Sequence, residues 1–113
     1  MMNAETQQKF DNVNVGDVLV GYFSYTMSIY DFYKVVGKTK CCLKIQKLGK
    51  KAVGSEGFMQ PSVAPDYDKV QSKVLTRRPD TFGCIYEDGQ YSSRIRIDNK
   101  YNPKESYTED HWD

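Results

Sequence analysis

Apolar residues recur along this chain with a period of two, in short runs separated by glycine, proline and acidic turns, the pattern of half-buried β-strands. Residues 18–23, Val-Leu-Val-Gly-Tyr-Phe, follow the turn Asn14-Val15-Gly16-Asp17 and form the first such run. Residues 30–36 form the second, rich in aromatic and β-branched side chains, with residues 24–29 as an irregular connection between the two. After Gly37-Lys38-Thr39 the alternation continues over residues 40–48. Cys41, Leu43 and Ile45 fall on one face of that strand, and Lys40, Cys42, Lys44 and Gln46 on the other. The short connector predicts direct antiparallel pairing of the second and third strands. Gly49-Lys50-Lys51 ends the third.

From residue 54 to 68 the composition shifts to Gly, Ser, Pro and Asp, with Pro61 and Pro65, which predicts a long loop of the kind that often carries function. A further β segment over residues 70–78 offers Val70, Val74 and Leu75 to the core and is stopped by Arg77-Arg78-Pro79-Asp80. Residues 82–86 and 91–97 flank Glu87-Asp88-Gly89-Gln90, an Asp-Gly hairpin signal. In the second arm Ile95 and Ile97 are expected to face inward, and Arg94 and Arg96 outward. Residues 3–10 support at most a short N-terminal helix. The chain from Asn99 onward has no periodicity and reads as a surface segment pinned by Tyr101 or Trp112. Together these elements predict an all-β single domain over residues 1–113, a small barrel or a strongly curved antiparallel sheet of SH3-like or OB-like size. Residues 1–12 and 99–113 are its candidates for looser order.

Composition agrees with one folded domain: 113 residues, 39% hydrophobic and 27% charged, leave room for a single modest core. The formal charge of +1 excludes an acidic nucleic-acid mimic and a uniformly basic surface, but it hides an asymmetry. Residues 34–51 carry seven lysines and no acid, so the rest of the chain is net acidic, with Glu105, Glu109, Asp110 and Asp113 near its end. No apolar run approaches the roughly 20 residues of a membrane span, and the first ten residues lack a signal-peptide core. Three cysteines make no disulfide framework and fit a reducing compartment. The expected location is cytoplasmic, the host cytoplasm if a phage encodes the chain.

The missing chemistry narrows the function further. The sole histidine, His111, lies at the end of the chain, and neither Cys-x-x-Cys nor His-x-x-x-His spacing occurs. Phosphate loops of the Gly-x-x-x-x-Gly-Lys-Ser/Thr or Gly-x-Gly-x-x-Gly kind are absent. The carboxylate pairs Asp66 with Asp68 and Glu87 with Asp88 sit in turns, where acids serve solvation and local hydrogen bonds. Cys41 and Cys42, on opposite faces of a strand, read as a small buried hydrophobe and an exposed thiol. No catalytic residue, metal site or cofactor is expected, and a small enzyme ranks third among the readings.

The positive signal is an aromatic-then-basic block: Tyr22, Phe23, Tyr25, Tyr30, Phe32 and Tyr33, then Lys34, Lys38, Lys40, Lys44, Lys47, Lys50 and Lys51. Stacking faces beside cations suit nucleic acid, but the same residues also build an ordinary sheet with aromatics inside and lysines solvated. Alternation divides the block. Tyr30, Phe32, Lys34 and Val36 share one face and Asp31, Tyr33 and Val35 the other, so Phe32 and Val36 are expected in the core and Tyr33 half exposed. The candidate binding residues are Tyr25, Tyr30, Tyr33, Lys38, Lys40, Lys44, Arg94 and Arg96.

Gly16-Asp17-Val18, Tyr25-Thr26-Met27-Ser28 and Asp31-Phe32-Tyr33-Lys34-Val35-Val36-Gly37-Lys38-Thr39 carry a resemblance to short uncharacterised proteins of phages and mobile elements. Those have a Gly-Asp strand, an aromatic-x-Tyr-x-Met-Thr-like connection and a Phe-Tyr-x-Val-Val strand leading to a Lys-Thr turn. The resemblance spans about the first third of the chain, and Phe23 stands where those proteins usually have Trp. It implies a small phage-type accessory domain and carries over no known active site, and many such proteins act on host machinery. The first expectation is a non-enzymatic module that contacts a host or phage protein, with inhibition of a host protein as one outcome, through residues 25–33 and the segment 54–68. The alternative is a nucleic-acid-binding module using the lysines and arginines with exposed tyrosines. Membrane partners are not expected, and oligomeric state is not legible.

Overall fold

A computed structural model describes residues 3–24, 28–55, 61–87, 94–105, 107 and 109. Among these residues one short helix, α1 (Ala4–Asp11), precedes seven strands: β1 (Val18–Ser24), β2 (Ser28–Lys38), β3 (Leu43–Ser55), β4 (Pro61–Val70), β5 (Leu75–Arg77), β6 (Cys84–Tyr86) and β7 (Arg94–Lys100). The helix is polar and short, and it holds because Asn3 caps it, its side chain accepting the Thr6 N–H at 2.8 Å. Phe10 then anchors it in the core. No helix among the described residues is long and apolar enough to cross a membrane.

All strand pairs are antiparallel, in the order β4-β3-β2-β1-β7-β6, with β5 beside the first residues of β3. The hairpins expected from alternation form. β1 meets β2 from Val18 opposite Lys34 to Ser24 opposite Ser28, and β2 meets β3 from Phe32 opposite Leu48 to Lys38 opposite Leu43. β6 pairs with β7, Ile85 opposite Ile95. The sheet is strongly curved but not closed into a barrel.

Both faces of the central strands are buried. Leu19, Tyr33, Val35, Leu43, Ile45, Ile95 and Ile97 pack with Phe10, Val13 and Ile85 on one face. Val18, Val20, Phe32 and Leu48 pack with Val63 and Tyr107 on the other. Adjacent residues such as Leu19 and Val20 enter different cores because strand side chains alternate. Ile95 and Ile97 face in and Arg94 and Arg96 out, as their alternation requires.

Several expectations change. The loop expected over 54–68 is largely strand: β3 continues to Ser55 and pairs with β4 from Pro61 onward, while residues 56–60 lie outside the described set. An edge strand tolerates proline where an outward N–H is dispensable. Pro61, Val63 and Pro65 alternate along that edge, and the Val63 N–H is taken by the Tyr107 carbonyl at 3.0 Å. Val70 and Val74 are exposed rather than core, because β4 ends at Val70 and the chain crosses over to a β5 of only three residues; Leu75 alone packs inward. Tyr33 is fully buried instead of half exposed, and Val36 is only half-buried. The C-terminal segment is pinned by Tyr107 and Tyr101, which join the second core; Trp112 lies outside the described residues.

The turn before β1 is tied down by charge. Gly16 takes φ 101°, and Asp17 Oδ2 accepts the Asn14 N–H at 2.8 Å and faces Lys100 Nζ at 3.0 Å. Burial raises the Asp17 carboxyl, but the Asn14 bond and then Lys100 outweigh it and hold the group below its ordinary value. A depressed carboxylate adds stability above its unfolded value and loses it as pH falls through the folded one. Asp17→Asn is therefore expected to flatten the fall in melting temperature between about pH 5 and pH 2. Thermal melts across that window check it, and equal acid slopes in both proteins would refute it.

Candidate binding surface

The curled sheet brings β5 and β6 close without a backbone ladder between them among the described residues, and Arg77 spans this seam. Its Nε donates to the carbonyls of Tyr86 and Glu87 at 3.1 and 3.2 Å, its Nη2 to Glu87 O at 2.6 Å and its Nη1 to Thr76 O at 3.0 Å. A planar guanidinium can serve several carbonyls at once, which a lysine cannot do.

Beside the seam lies an open cleft of about 710 Å³ lined by Lys47, Gln71, Ser72, Lys73, Leu75, Arg77 and Glu87. One wall is the crossover 71–74, sewn to β3: Gln71 N–H donates to Lys47 O at 2.8 Å, Lys47 N–H to Ser72 Oγ at 3.0 Å and Gln46 Nε2 to Ser72 O at 3.1 Å. The opposite wall is set by charge. Glu87 Oε1 accepts the Tyr33 hydroxyl at 3.3 Å and lies 3.4 Å from Lys47 Nζ, which is 3.9 Å from Asp31. Asp31 passes the network on to Lys50 at 3.6 Å. Lys50 in turn sits 2.7 Å from Glu109, whose carboxylate also accepts the Tyr30 N–H at 3.0 Å. Glu109 is only 4% exposed. It occupies the fork where β3 leaves β2 after Leu48. The cleft thus presents cations, an amide, a hydroxyl and an apolar floor at Leu75, a set suited to holding a polar chain segment.

The crossover and the end of β4 also carry three of the large exposed apolar side chains: Tyr67 at 56%, Val70 at 55% and Val74 at 47%. Val70 and Val74 flank the lining residues 71–73 in sequence.

The residues singled out from sequence divide. Tyr25 lies outside the described set. Tyr30 is half-buried, its ring 5.1 Å from Tyr22 and 5.4 Å from Tyr107, and burial, then Tyr22, push its hydroxyl above the ordinary value. Tyr33 is in the core. Lys38 is withdrawn, donating to Val13 O at 3.0 Å with its ammonium 4.7 Å above the Phe10 ring. Lys40 and Lys44 are exposed near the β2–β3 turn, and Arg94 and Arg96 on β7, where Arg96 lies 3.7 Å from Asp98. Register puts Lys34, Lys44, Tyr22 and Arg94 on one face. β3 and β7 are three strand spacings apart, about 14 Å, so these cations form separated rows rather than one patch.

Sequence reasoning missed Arg77, Lys47, Lys73 and Glu87. Arg77 read as a strand terminator and Glu87 as a turn acid; the one visible signal was a charged residue two positions after the apolar Leu75, on the same face of that strand. The fold and cleft define a small open antiparallel β-domain with a helical N-terminal cap. Known protein families, curated proteins and solved structures offer no match to the chain.

Proposed function

We propose that the chain is a non-catalytic binding domain that works by contact with another protein, centred on the seam cleft and its apolar rim. The observation that carries this reading is that exposed Val70 and Val74 flank residues 71–73, which line a cleft rimmed by charge. Isolated apolar residues are ordinary on a surface, whereas grouped ones beside charged and aromatic neighbours resemble the core and rim of an interface. The crossover is held to β3 by three hydrogen bonds, so a partner would meet a preformed surface. The resemblance to phage and mobile-element proteins supports a host protein as that partner, with inhibition as the outcome.

Val70→Asp combined with Val74→Asp is the direct test. Both side chains are exposed, so the double variant is expected to melt within about 0.5 kcal/mol of the parent per site. It should lose the protein that the parent retains from nuclease-treated host lysate. Equal retention by parent and variant would rule out this surface.

A second reading, nucleic-acid binding, is supported by exposed Tyr22 opposite exposed Arg94, with exposed Lys34 and Lys44 in a separate row on the same sheet face. It predicts binding that weakens steeply with salt and is removed by Lys44→Glu with Arg94→Glu. Absence of binding at low salt would end it.

A further inference from the structure

Period-two alternation places Cys41 and Cys42 on opposite faces of a strand, but β3 begins only at Leu43. The two cysteines instead occupy the turn between β2 and β3, where their sulfurs lie 3.9 Å apart and both residues are half-buried. The turn is pinned: Thr39 N–H donates to Cys42 O at 2.9 Å, and Cys42 N–H to Thr39 Oγ1 at 3.0 Å. Leu43 is opposite Arg77, which brings Arg78 next to Cys42, and its charge acts on that thiol. Lys40, the residue before Cys41, is exposed.

A pinned, accessible dithiol can close a disulfide or chelate a soft ion. The disulfide is disfavoured by geometry. Adjacent α-carbons are held ~3.8 Å apart by the trans peptide, whereas disulfides ordinarily span roughly 4.4–6.8 Å. Structural zinc asks for four ligands, and among the described residues no group of three or more His, Cys, Asp and Glu converges. Two thiolates with no third metal-ligating side chain beside them among the described residues suit a soft ion of low coordination number.

We propose that Cys41 and Cys42 together bind one monovalent copper ion. Each thiol gives up its proton to solvent as its copper–sulfur bond forms, so two protons leave and copper is neither oxidised nor reduced. The neutral dithiol becomes a bis-thiolate copper centre of charge −1, and Arg78 and Lys40 offset that charge. Each thiol must lose its proton to bind the ion, so proton competition makes the affinity rise with pH. Cys84, buried in β6, is the internal control.

The test titrates the full reduced chain, without oxygen, against copper(I) held by bicinchoninate, with native mass spectrometry on the same samples. The expected result is one copper per chain with loss of two protons, unchanged in Cys84→Ser. Cys41→Ser and Cys42→Ser, and the alanine variants as a second pair, should each bind about a hundredfold more weakly, because the second thiolate binds intramolecularly. Phenylarsine oxide, which needs two neighbouring thiols, should block uptake. The proposal is overturned if the parent chain takes no copper from bicinchoninate, if copper bridges two chains, if Cys84→Ser abolishes uptake, or if zinc displaces the bound copper.

Discussion

Tyr107→Ala is expected to destabilise the protein by about 3–5 kcal/mol, the range for deleting a buried aromatic side chain, and so to lower the melting temperature by roughly 15 °C. The ring lies in the second core, with centroids 5.4 Å from Tyr30, 5.7 Å from Phe32 and 5.5 Å from Tyr101. Its hydroxyl accepts the Asn102 N–H at 3.0 Å. Removing it opens a cavity against Phe32 and Val63 in the second core, and it unfastens the segment whose carbonyl satisfies the β4 edge. Tyr107→Phe keeps the ring and leaves the Asn102 N–H without that acceptor, so it should lose only about 1 kcal/mol. Urea unfolding of the two variants separates packing from hydrogen bonding. A Tyr107→Ala protein as stable as the parent would mean that the C-terminal segment does not cover this face.

Arg77→Ala carries the next largest effect, about 2–4 kcal/mol. Charged hydrogen bonds contribute roughly 1.5–3 kcal/mol each and do not add fully, and the guanidinium is only partly buried. The substitution leaves the Tyr86 and Glu87 carbonyls without their Arg77 donor at the seam and takes away one wall of the cleft. Arg77→Lys should recover less than half of the loss, because an ammonium cannot reproduce the planar fork. Hydrogen exchange localises the effect: β6 amides should lose protection well before those of β2. Unchanged melting and exchange in Arg77→Ala would show that the seam holds without its clasp. Partner retention should fall with Arg77→Ala as well, if the seam cleft is the contact surface.

Alternation made the first part of β3 and β7 readable, because each buries one set of alternate residues and the inward residues Leu43, Ile45, Ile95 and Ile97 declare it; β2 buries both sets, so its pattern named the strand but not its faces. The same logic failed at four places for identifiable reasons. Pro61 and Pro65 argued against a strand, yet an edge has no use for their missing N–H groups. Val70 and Val74 argued for a core strand, yet the chain there crosses between two strands that both pair with β3. Tyr33 looked half exposed beside a solvated lysine row, but Ile85 and the Glu87 carboxylate, some fifty residues later in the chain, cover it. The cysteine pair reads as divided by alternation, yet β3 begins only at Leu43 and both cysteines lie in the turn before it. The candidate surface was less legible than the fold, since its parts come from β3, the crossover, β5 and the residue after β6.

Local pattern alone specifies a small curved antiparallel β-domain, where most strands lie and which way the first part of β3 and β7 turn their side chains. Those properties depend on neighbours two residues away, and the chain records them directly. Only the tertiary structure decided that the sheet stays open at a seam held by Arg77, that the C-terminal segment completes the second core, and that Lys47, Arg77 and Glu87 meet in one cleft. Each of these rests on contacts between residues far apart in sequence, where hydrophobic burial and charge pairing select among many partners that local pattern treats alike.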